Sequence, residues 1–297
     1  MLSILIPIYN YNVYPLVYEL HQQCTKLGIT FEILAQDDAS KSPLNLENER
    51  VNSLNYCWFS SNNSNLGRGV NINSLSKKAK YEWLLILDCD MYPTSSDFIL
   101  NYIDSISNSI GEIIYGGIAY EKKRPNSENL LRWIYGKKRE AIPFHIREKN
   151  PYSTSLTSNI IVKKSIKHSN PFPEKVKNYG YEDLVWIKQL KEKSVPIHHI
   201  ENPAFHLNLE TSDEFLKKIK KSLENLKFIY NLNLIHPSDS KVLSVYKMIS
   251  KFGGDNIVKV LYVYFKMRIE KNLLSNNPSL ILLDFYKLGY YCKLNSQ

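Results

Sequence analysis

Cysteine is scarce in this chain: Cys24, Cys57, Cys89 and Cys292 are its four cysteines. Their spacings match no zinc-binding pattern. The opening "MLSILIPIYN" is too short and too uncharged for a secretory signal and reads as a first strand. A disulfide framework is therefore not expected, and a cytoplasmic location is. No segment approaches the ~20 consecutive apolar residues that a spanning helix needs. "NLGRGVNIN" is glycine-bearing, but it matches neither G-x-x-x-x-G-K-[ST] nor G-x-G-x-x-G. That excludes a P-loop and gives no dinucleotide fingerprint. No internal repeat or low-complexity tract is present.

What remains is the composition of an ordinary globular protein, 43% hydrophobic and 23% charged over 297 residues. That length suffices for one large domain or a domain with an appendage. The net charge is +9 and unevenly spread. From Thr211 onward, 14 Lys and Arg face 7 Asp and Glu. Such a tail suits phosphates, nucleic acid or an anionic membrane, and equally a solvated face without a partner.

Strand and helix alternate over the first ~120 residues at the spacing of βαβ units, which predicts an α/β fold with a mainly parallel sheet. "LSILIPIY" ends in "NYN", "ITFEILAQDDAS" ends in Asp37 and Asp38, and "YEWLLILDCDMYP" ends in Asp88 and Asp90. Gly28 is a plausible stop for the first helix, and Ser212 a plausible N-cap for the helix that follows it. Residues ~121–155 read as a basic, exposed helix and loop. In parallel sheets ligands sit at the carboxyl ends of the strands, so three polar clusters at strand ends point to one pocket.

Each candidate also has a bland reading. Asp88 and Asp90 suit a hard divalent cation that takes its other ligands from phosphates and water; two turn aspartates are the plain alternative. A carboxylate at Asp37-Asp38 can accept from a uracil N3–H, or close a turn. Gly67 and Gly69 permit close backbone approach, and Arg68 suits an anion. Glu182 and Asp183 open a helix, where the dipole favours acids, and one of them can act as a general base. His206 is a possible metal ligand or a packing histidine.

Taken in order, "SILIPIYN", "QDDAS", "NLGRG…N", "LLILDCD", "GYEDLVWIKQL" and "NPAFHLN" resemble the family 2 glycosyltransferases of GT-A fold, and most of all bacterial members that assemble surface polysaccharides. The resemblance covers residues 1–230 and continues loosely to "LLDFYKLGYY". It implies a nucleotide-binding half over 1–120, an acceptor half over 121–230, and a basic helical extension over 231–297. It implies that Pro7, Tyr9 and Asn10 form the first nucleotide loop, that Asp38 with Asp37 meets uracil, and that Gly67, Arg68 and Asn73 contact the nucleotide. Ile72 stands where the family often has arginine, which leaves that grip to Arg68. Asp88 and Asp90, joined by His206, are implied metal ligands for Mn²⁺ or Mg²⁺, and Asp88 also borders the nucleotide. Asp183 is the implied base, Glu182 its neighbour orienting the acceptor, and Asn159 lies on the acceptor-facing strand.

The implied reaction is inverting transfer from a nucleotide sugar, with UDP as the carrier, to a saccharide or lipid-linked acceptor. Two rivals have their own signatures. A nucleic-acid-binding module would use the basic tail with stacking tyrosines, yet no nucleic-acid motif is present and no such partner is expected. A nucleotidyltransferase would need a glycine-rich basic signature near the start, which "IPIYNYNVYP" lacks. The run Ile257–Ile269, interleaved with Lys259, Lys266 and Arg268, is read either as peripheral contact with the inner face of the cytoplasmic membrane or as a packed helix with its lysines in water.

Overall fold

The computed structural model describes residues 1–296. Its strands are β1 (Leu2–Ile8), β2 (Phe31–Asp37), β3 (Cys57–Ser61), β4 (Trp83–Leu87), β5 (Met91–Pro93), β6 (Ile113–Tyr115), β7 (Ile118–Ala119), β8 (Asn159–Lys163), β9 (His198–His199) and β10 (Ala204–His206). Its helices are α1 (Tyr14–Lys26), α2 (Asn45–Asn48), α3 (Arg68–Lys78), α4 (Phe98–Ser107), α5 (Leu130–Arg139), α6 (Phe144–Arg147), α7 (Pro151–Thr154), α8 (Lys164–Ser169), α9 (Glu182–Glu192), α10 (Ser212–Asn231), α11 (Lys241–Ser250), α12 (Gly254–Leu273) and α13 (Leu280–Asn295). Two compact units emerge. The first comprises 1–121, 140–177 and 189–208; the second comprises 122–139, 178–188 and 209–297.

The first unit is built on a seven-stranded sheet of order β3-β2-β1-β4-β8-β6-β9. β1, β2, β3 and β4 run parallel, while β8 lies antiparallel to both β4 and β6. Every residue of β1 is buried, as expected of a central strand covered on both faces. Leu84, Leu85, Ile86 and Leu87 of β4 are fully buried. Each contributes roughly 1.5–3 kcal/mol relative to exposure, so the strand is fixed and the polar residues beyond it inherit a fixed position. Register puts Ile8 opposite Asp37 and Leu87 opposite Asn159. The parallel strands thus end at one edge, and the antiparallel β8 begins there. A smaller sheet of order β5-β10-β7 forms beyond the end of β4.

Helix ends follow their sequence signals, with one shift. Leu27 caps α1, and Gly28 follows in the left-handed region at φ 63°. α10 is capped by Thr211, whose hydroxyl accepts from the Glu214 amide; Ser212 is already helical, and its hydroxyl accepts from the Leu131 amide. Threonine wins the cap because it alone of the pair has the extended backbone that a cap needs.

Residues 121–155 are less exposed than their charge suggests. Leu130, Leu131 and Arg132 are buried in the second unit, and Arg147 is buried in the first. Arg147 donates to the carbonyls of Ile142 at 2.9 Å, Ile200 at 3.0 Å and Gly116 at 3.3 Å, and to His199 Nδ1 at 3.1 Å. A guanidinium has five N–H donors in a rigid fork, which suits it to pin several loop carbonyls at once. Its positive charge and burial hold His199 neutral. Burial is the larger cause, and the histidine's pKa falls to about 4.

His199 takes up its proton near 6.5 when unfolded. Between pH 6.5 and about 4 the unfolded chain therefore binds a proton that the folded chain does not, and stability falls with pH in that window by on the order of 2–3 kcal/mol. We expect the urea midpoint to drop between pH 7 and pH 5, and to drop less in His199→Asn. Equal drops in the two proteins would show that His199 is not the source.

Candidate active site at the strand tips

The edge where β1, β2 and β4 end carries most of the residues singled out in the sequence. Pro7 is buried within β1; Tyr9 is exposed just past it, and Asn10 turns the chain in the left-handed region. Asp37 is fully buried, and its carboxylate accepts from the Ser40 amide, the Ser40 hydroxyl and the Asn45 side chain. Asp38 is nearly as buried. One of its oxygens accepts from the Asn62 side chain and the Leu66 amide, and the other from the Gly67 amide at 2.8 Å. Both acids are committed to holding loops. The geometry therefore gives Asp38 a definite task, which is to fix the start of α3.

Glycine at 67 is required by its surroundings. Its φ is 82°, and a Cβ there would sit 2.4 Å from the Lys177 carbonyl oxygen. A Cβ on Gly69 would lie 2.9 Å from the Phe172 Cβ. The close approaches that these glycines allow are to the protein itself.

Asn73, which the resemblance places at the nucleotide, is buried. Its amide donates to the Phe172 carbonyl at 2.8 Å and accepts from the Phe172 amide and the Lys167 ammonium. Lys167 is itself buried, which lowers its pKa to about 7. Asn159, read as acceptor-facing, is fully buried. It donates to the carbonyls of Gly117 and Asn202 and accepts from the Tyr102 hydroxyl at 2.8 Å. Its oxygen and both N–H groups are thus engaged inside the fold. Both residues hold the frame through these bonds.

The polar centre lies just beyond β4. Arg68, in the first turn of α3, donates through Nε and Nη2 to one oxygen of Asp88, at 2.9 and 2.6 Å, and through Nη1 to the Thr157 hydroxyl at 2.8 Å. The Asp88 amide donates to the Ser158 carbonyl. Asp90 stands on the other side of Cys89, and its carboxylate is 3.5 Å from His206 Nε2. The pairing of β5 with β10 brings these two together: Met91 is opposite His206, and the Leu207 amide donates to the Asp90 carbonyl. The His206 ring stacks on Tyr120, whose hydroxyl donates to Glu140. Tyr11 closes the group. Burial, then the charges of Asp90 and Cys89, push its hydroxyl up to about 12. Burial and the flanking aspartates raise the Cys89 thiol as well.

Among the described residues no group of three or more His, Cys, Asp or Glu side chains is arranged to hold a metal ion. The expected trio is thus not assembled as such: Arg68 engages Asp88, while Asp90 and His206 stay close to each other. A carboxylate beside an imidazole still fits a Mg²⁺ or Mn²⁺ ion that completes its shell with phosphate oxygens and water. Tyr11, Tyr120 and Thr157 belong to the same cluster and were missed from sequence. Tyr11 had a signal, since it lies in the same strand-end "NYN"; the others had none.

Glu182 and Asp183 lie in the second unit, in the first turn of α9. The segment leading into them is tightly held. Gly180 has φ 94°, and a Cβ there would lie 2.5 Å from the Ser222 Cβ. The Asn225 side chain donates to the carbonyls of Asn178 and Gly180. Tyr181 follows at φ 67°, a conformation uncommon for a bulky residue. Glu182 is buried and Asp183 half-buried.

The acids stand at the carboxyl ends of parallel strands, the edge where open α/β sheets bind their ligands. The family model "Glycosyl transferase family 2" matches residues 3–165, more than half of the chain. The chain belongs to glycosyl transferase family 2 and is a glycosyltransferase. Among solved structures, it is similar to the mannosyltransferase PcManGT from Pyrobaculum calidifontis in complex with GDP-Man and Mn²⁺. That match has a TM-score of 0.56 and 11% identity, and covers 99% of this chain and 85% of that one. It is also similar to S. aureus TarS, with a TM-score of 0.50, 16% identity and coverage of 100% and 92%. A TarS complex with UDP-GlcNAc matches at a TM-score of 0.49 and 17% identity, over 75% of this chain and 66% of that one; a longer TarS chain is spanned over only 39% of its length. No curated protein matches this chain.

The two asparagines test the division between frame and site. Asn159→Ala strands two buried carbonyls and a buried hydroxyl, and should cost roughly 2–4 kcal/mol of stability. Asn73→Ala, which strands the Phe172 amide and carbonyl and the Lys167 ammonium, should cost a similar amount. Thermal unfolding measures both. A melting temperature unchanged in Asn159→Ala would return that residue to the list of ligand contacts.

Proposed function

We propose that this glycosyltransferase moves a sugar from a nucleotide sugar, with UDP as the carrier, to a saccharide or lipid-linked saccharide acceptor, inverting the anomeric centre. The observation that carries the reading is the pairing of Asp90 with His206 at the strand tips, next to the Arg68–Asp88 contact. This is a place where a diphosphate meets cationic donors at the carboxyl edge of a parallel sheet. The similarity to the PcManGT fold, in a complex with GDP-Man and Mn²⁺, supports a nucleotide-sugar donor and a divalent cation.

In this reading Tyr9 and Asn10 border the base and ribose. Asp37 and Asp38 shape the base pocket through the loops they hold, since their carboxylates are already engaged. Arg68 sits at the α3 N-terminus beside Gly67, where positive charge and helix dipole both favour phosphate. Asp90 and His206 would hold the Mg²⁺ or Mn²⁺ ion, with Asp88 beside them. When bound, the cation would neutralise the diphosphate as it leaves.

Asp183 is the general base. It takes the proton of the acceptor hydroxyl; the hydroxyl oxygen bonds to the anomeric carbon from the face opposite the leaving group. The bond from that carbon to the diphosphate oxygen breaks, and the electron pair departs with the nucleoside diphosphate. Glu182 orients the acceptor. A single displacement of an α-linked donor gives a β-linkage.

Incubation with a panel of UDP- and GDP-sugars, with Mn²⁺ or Mg²⁺, should release one nucleoside diphosphate, and UDP with metal should raise the melting temperature more than either alone. Asp183→Asn should lower kcat by ~10²–10⁴-fold, with a fall in melting temperature no larger than the loss of about 0.3–1 kcal/mol of helix-end stabilisation gives. Asp90→Asn should weaken the response to metal. Transfer at the native rate by Asp183→Asn would sink the assignment of the base; release of GDP instead of UDP would correct the carrier.

A further inference from the structure

The two units differ sharply in charge. The first carries 16 Lys and Arg against 18 Asp and Glu, a net −2. The second carries 22 against 11, a net +11, so it holds all of the chain's positive excess. It also holds an apolar surface of unusual form on α12.

That helix is apolar on two opposite sides. Tyr262, Ile269 and Leu273 are buried and share one face. The inner face is closely packed: a Cβ on Gly289 of α13 would lie 2.4 Å from the Tyr262 Cβ, and the Tyr262 ring meets Tyr286 edge-on at 5.4 Å. Ile257, Val260, Tyr264 and Met267 recur at the same helical spacing on the other face, and they are 64%, 63%, 75% and 76% exposed. Phe252, in the turn before the helix, is 87% exposed. Single exposed apolar residues are ordinary, but a contiguous row along a helix marks a contact surface.

Cations punctuate this row. Arg268 and Lys271 are exposed on it, and Lys251 is exposed beside Phe252. Arg268 also lines a groove of about 270 Å³ between α12 and α13, whose other walls are Phe265, Ile269, Leu282 and Phe285. An arginine among the otherwise apolar walls of a groove suits an amphiphile with an anionic head. No helix among the described residues is long and apolar enough to cross a membrane, and α12 carries charges along its length. Its geometry is that of a helix lying in the plane of an interface, with cationic stems reaching up to the headgroups.

We infer that the outer face of α12 docks on an anionic lipid bilayer, with Ile257, Val260, Tyr264 and Met267 entering the headgroup boundary and Arg268 and Lys271 meeting lipid phosphates. Charge complementarity selects this occupant. A unit of net +11 repels its own copy and is drawn to an anionic surface. The inference stands apart from the sugar-transfer reading, because it uses none of that site's residues.

The test uses the full chain with two kinds of vesicle, pure phosphatidylcholine and phosphatidylcholine with 30–40% phosphatidylglycerol, on the order needed for a strongly negative surface. At low salt the protein should float with the anionic vesicles and not with the neutral ones. Ile257→Ser/Tyr264→Ser/Met267→Ser should weaken flotation by at least about tenfold. Arg268→Gln/Lys271→Gln should weaken it and flatten its salt dependence. These exposed positions leave the fold intact, so melting temperature and turnover of a soluble acceptor should match the parent. No flotation with anionic vesicles, or full flotation of the triple Ser variant, overturns the inference. So does a dimer in sedimentation that the triple variant dissolves, because the face would then receive a second copy.

Discussion

The site depends on one strand pairing. β5 is three residues long and follows Asp90 directly; β10 is three residues long and ends at His206. Their antiparallel register places Met91 opposite His206 and locks the Leu207 amide onto the Asp90 carbonyl. Without that pairing the carboxylate and the imidazole belong to distant parts of the chain. With it they stand 3.5 Å apart. Six backbone positions therefore bring a strand-end acid beside a histidine from far along the chain. The buried stem of β4 makes the arrangement rigid, because four fully buried side chains leave it no alternative register.

Around this pair the first unit separates residues that hold from residues that face outward. Asp37, Asp38, Asn73, Asn159 and Arg147 hold; each is buried, and each spends its hydrogen bonds on loop backbone or on neighbouring side chains. Buried polar groups of this kind are costly when unmatched and specific when matched. They fix where the turns go, and so where Arg68, Asp88, Asp90 and Tyr11 stand. Arg68 belongs to both groups, since it ties the start of α3 to Asp88 and Thr157 and remains partly exposed at the edge.

The second unit follows another logic. Its helices carry the positive excess and an apolar face turned away from its own core. The same unit bears Asp183 at the opening of α9, where a left-handed Gly180–Tyr181 step and the Asn225 side chain set the helix start. An acid in a first helical turn is stabilised by the dipole, which accounts for Asp183 at this position in terms of the fold alone.

The sequence alone determined the class of fold and the places where acids end the first strands. Apolar runs closed by polar residues have only one economical packing, a sheet buried on both faces with its polar ends at one edge. It also determined the family, because six short motifs in order are more specific than any one of them. Only the tertiary structure decided what each polar residue does. Asn73 and Asn159 look like Asn10 in one dimension; burial and three side-chain hydrogen bonds apiece tie two of them into the frame, and exposure leaves the third at the rim. Tyr120 and Thr157 carried no periodic or motif signal, since long-range pairing rather than local spacing brings them to the site. The run Ile257–Ile269 was visible in sequence with two readings, and the sequence could not say which of its residues face outward. A helix apolar on two sides has no dominant periodicity, and which side the protein covers is settled by the packing of Gly289 against Tyr262.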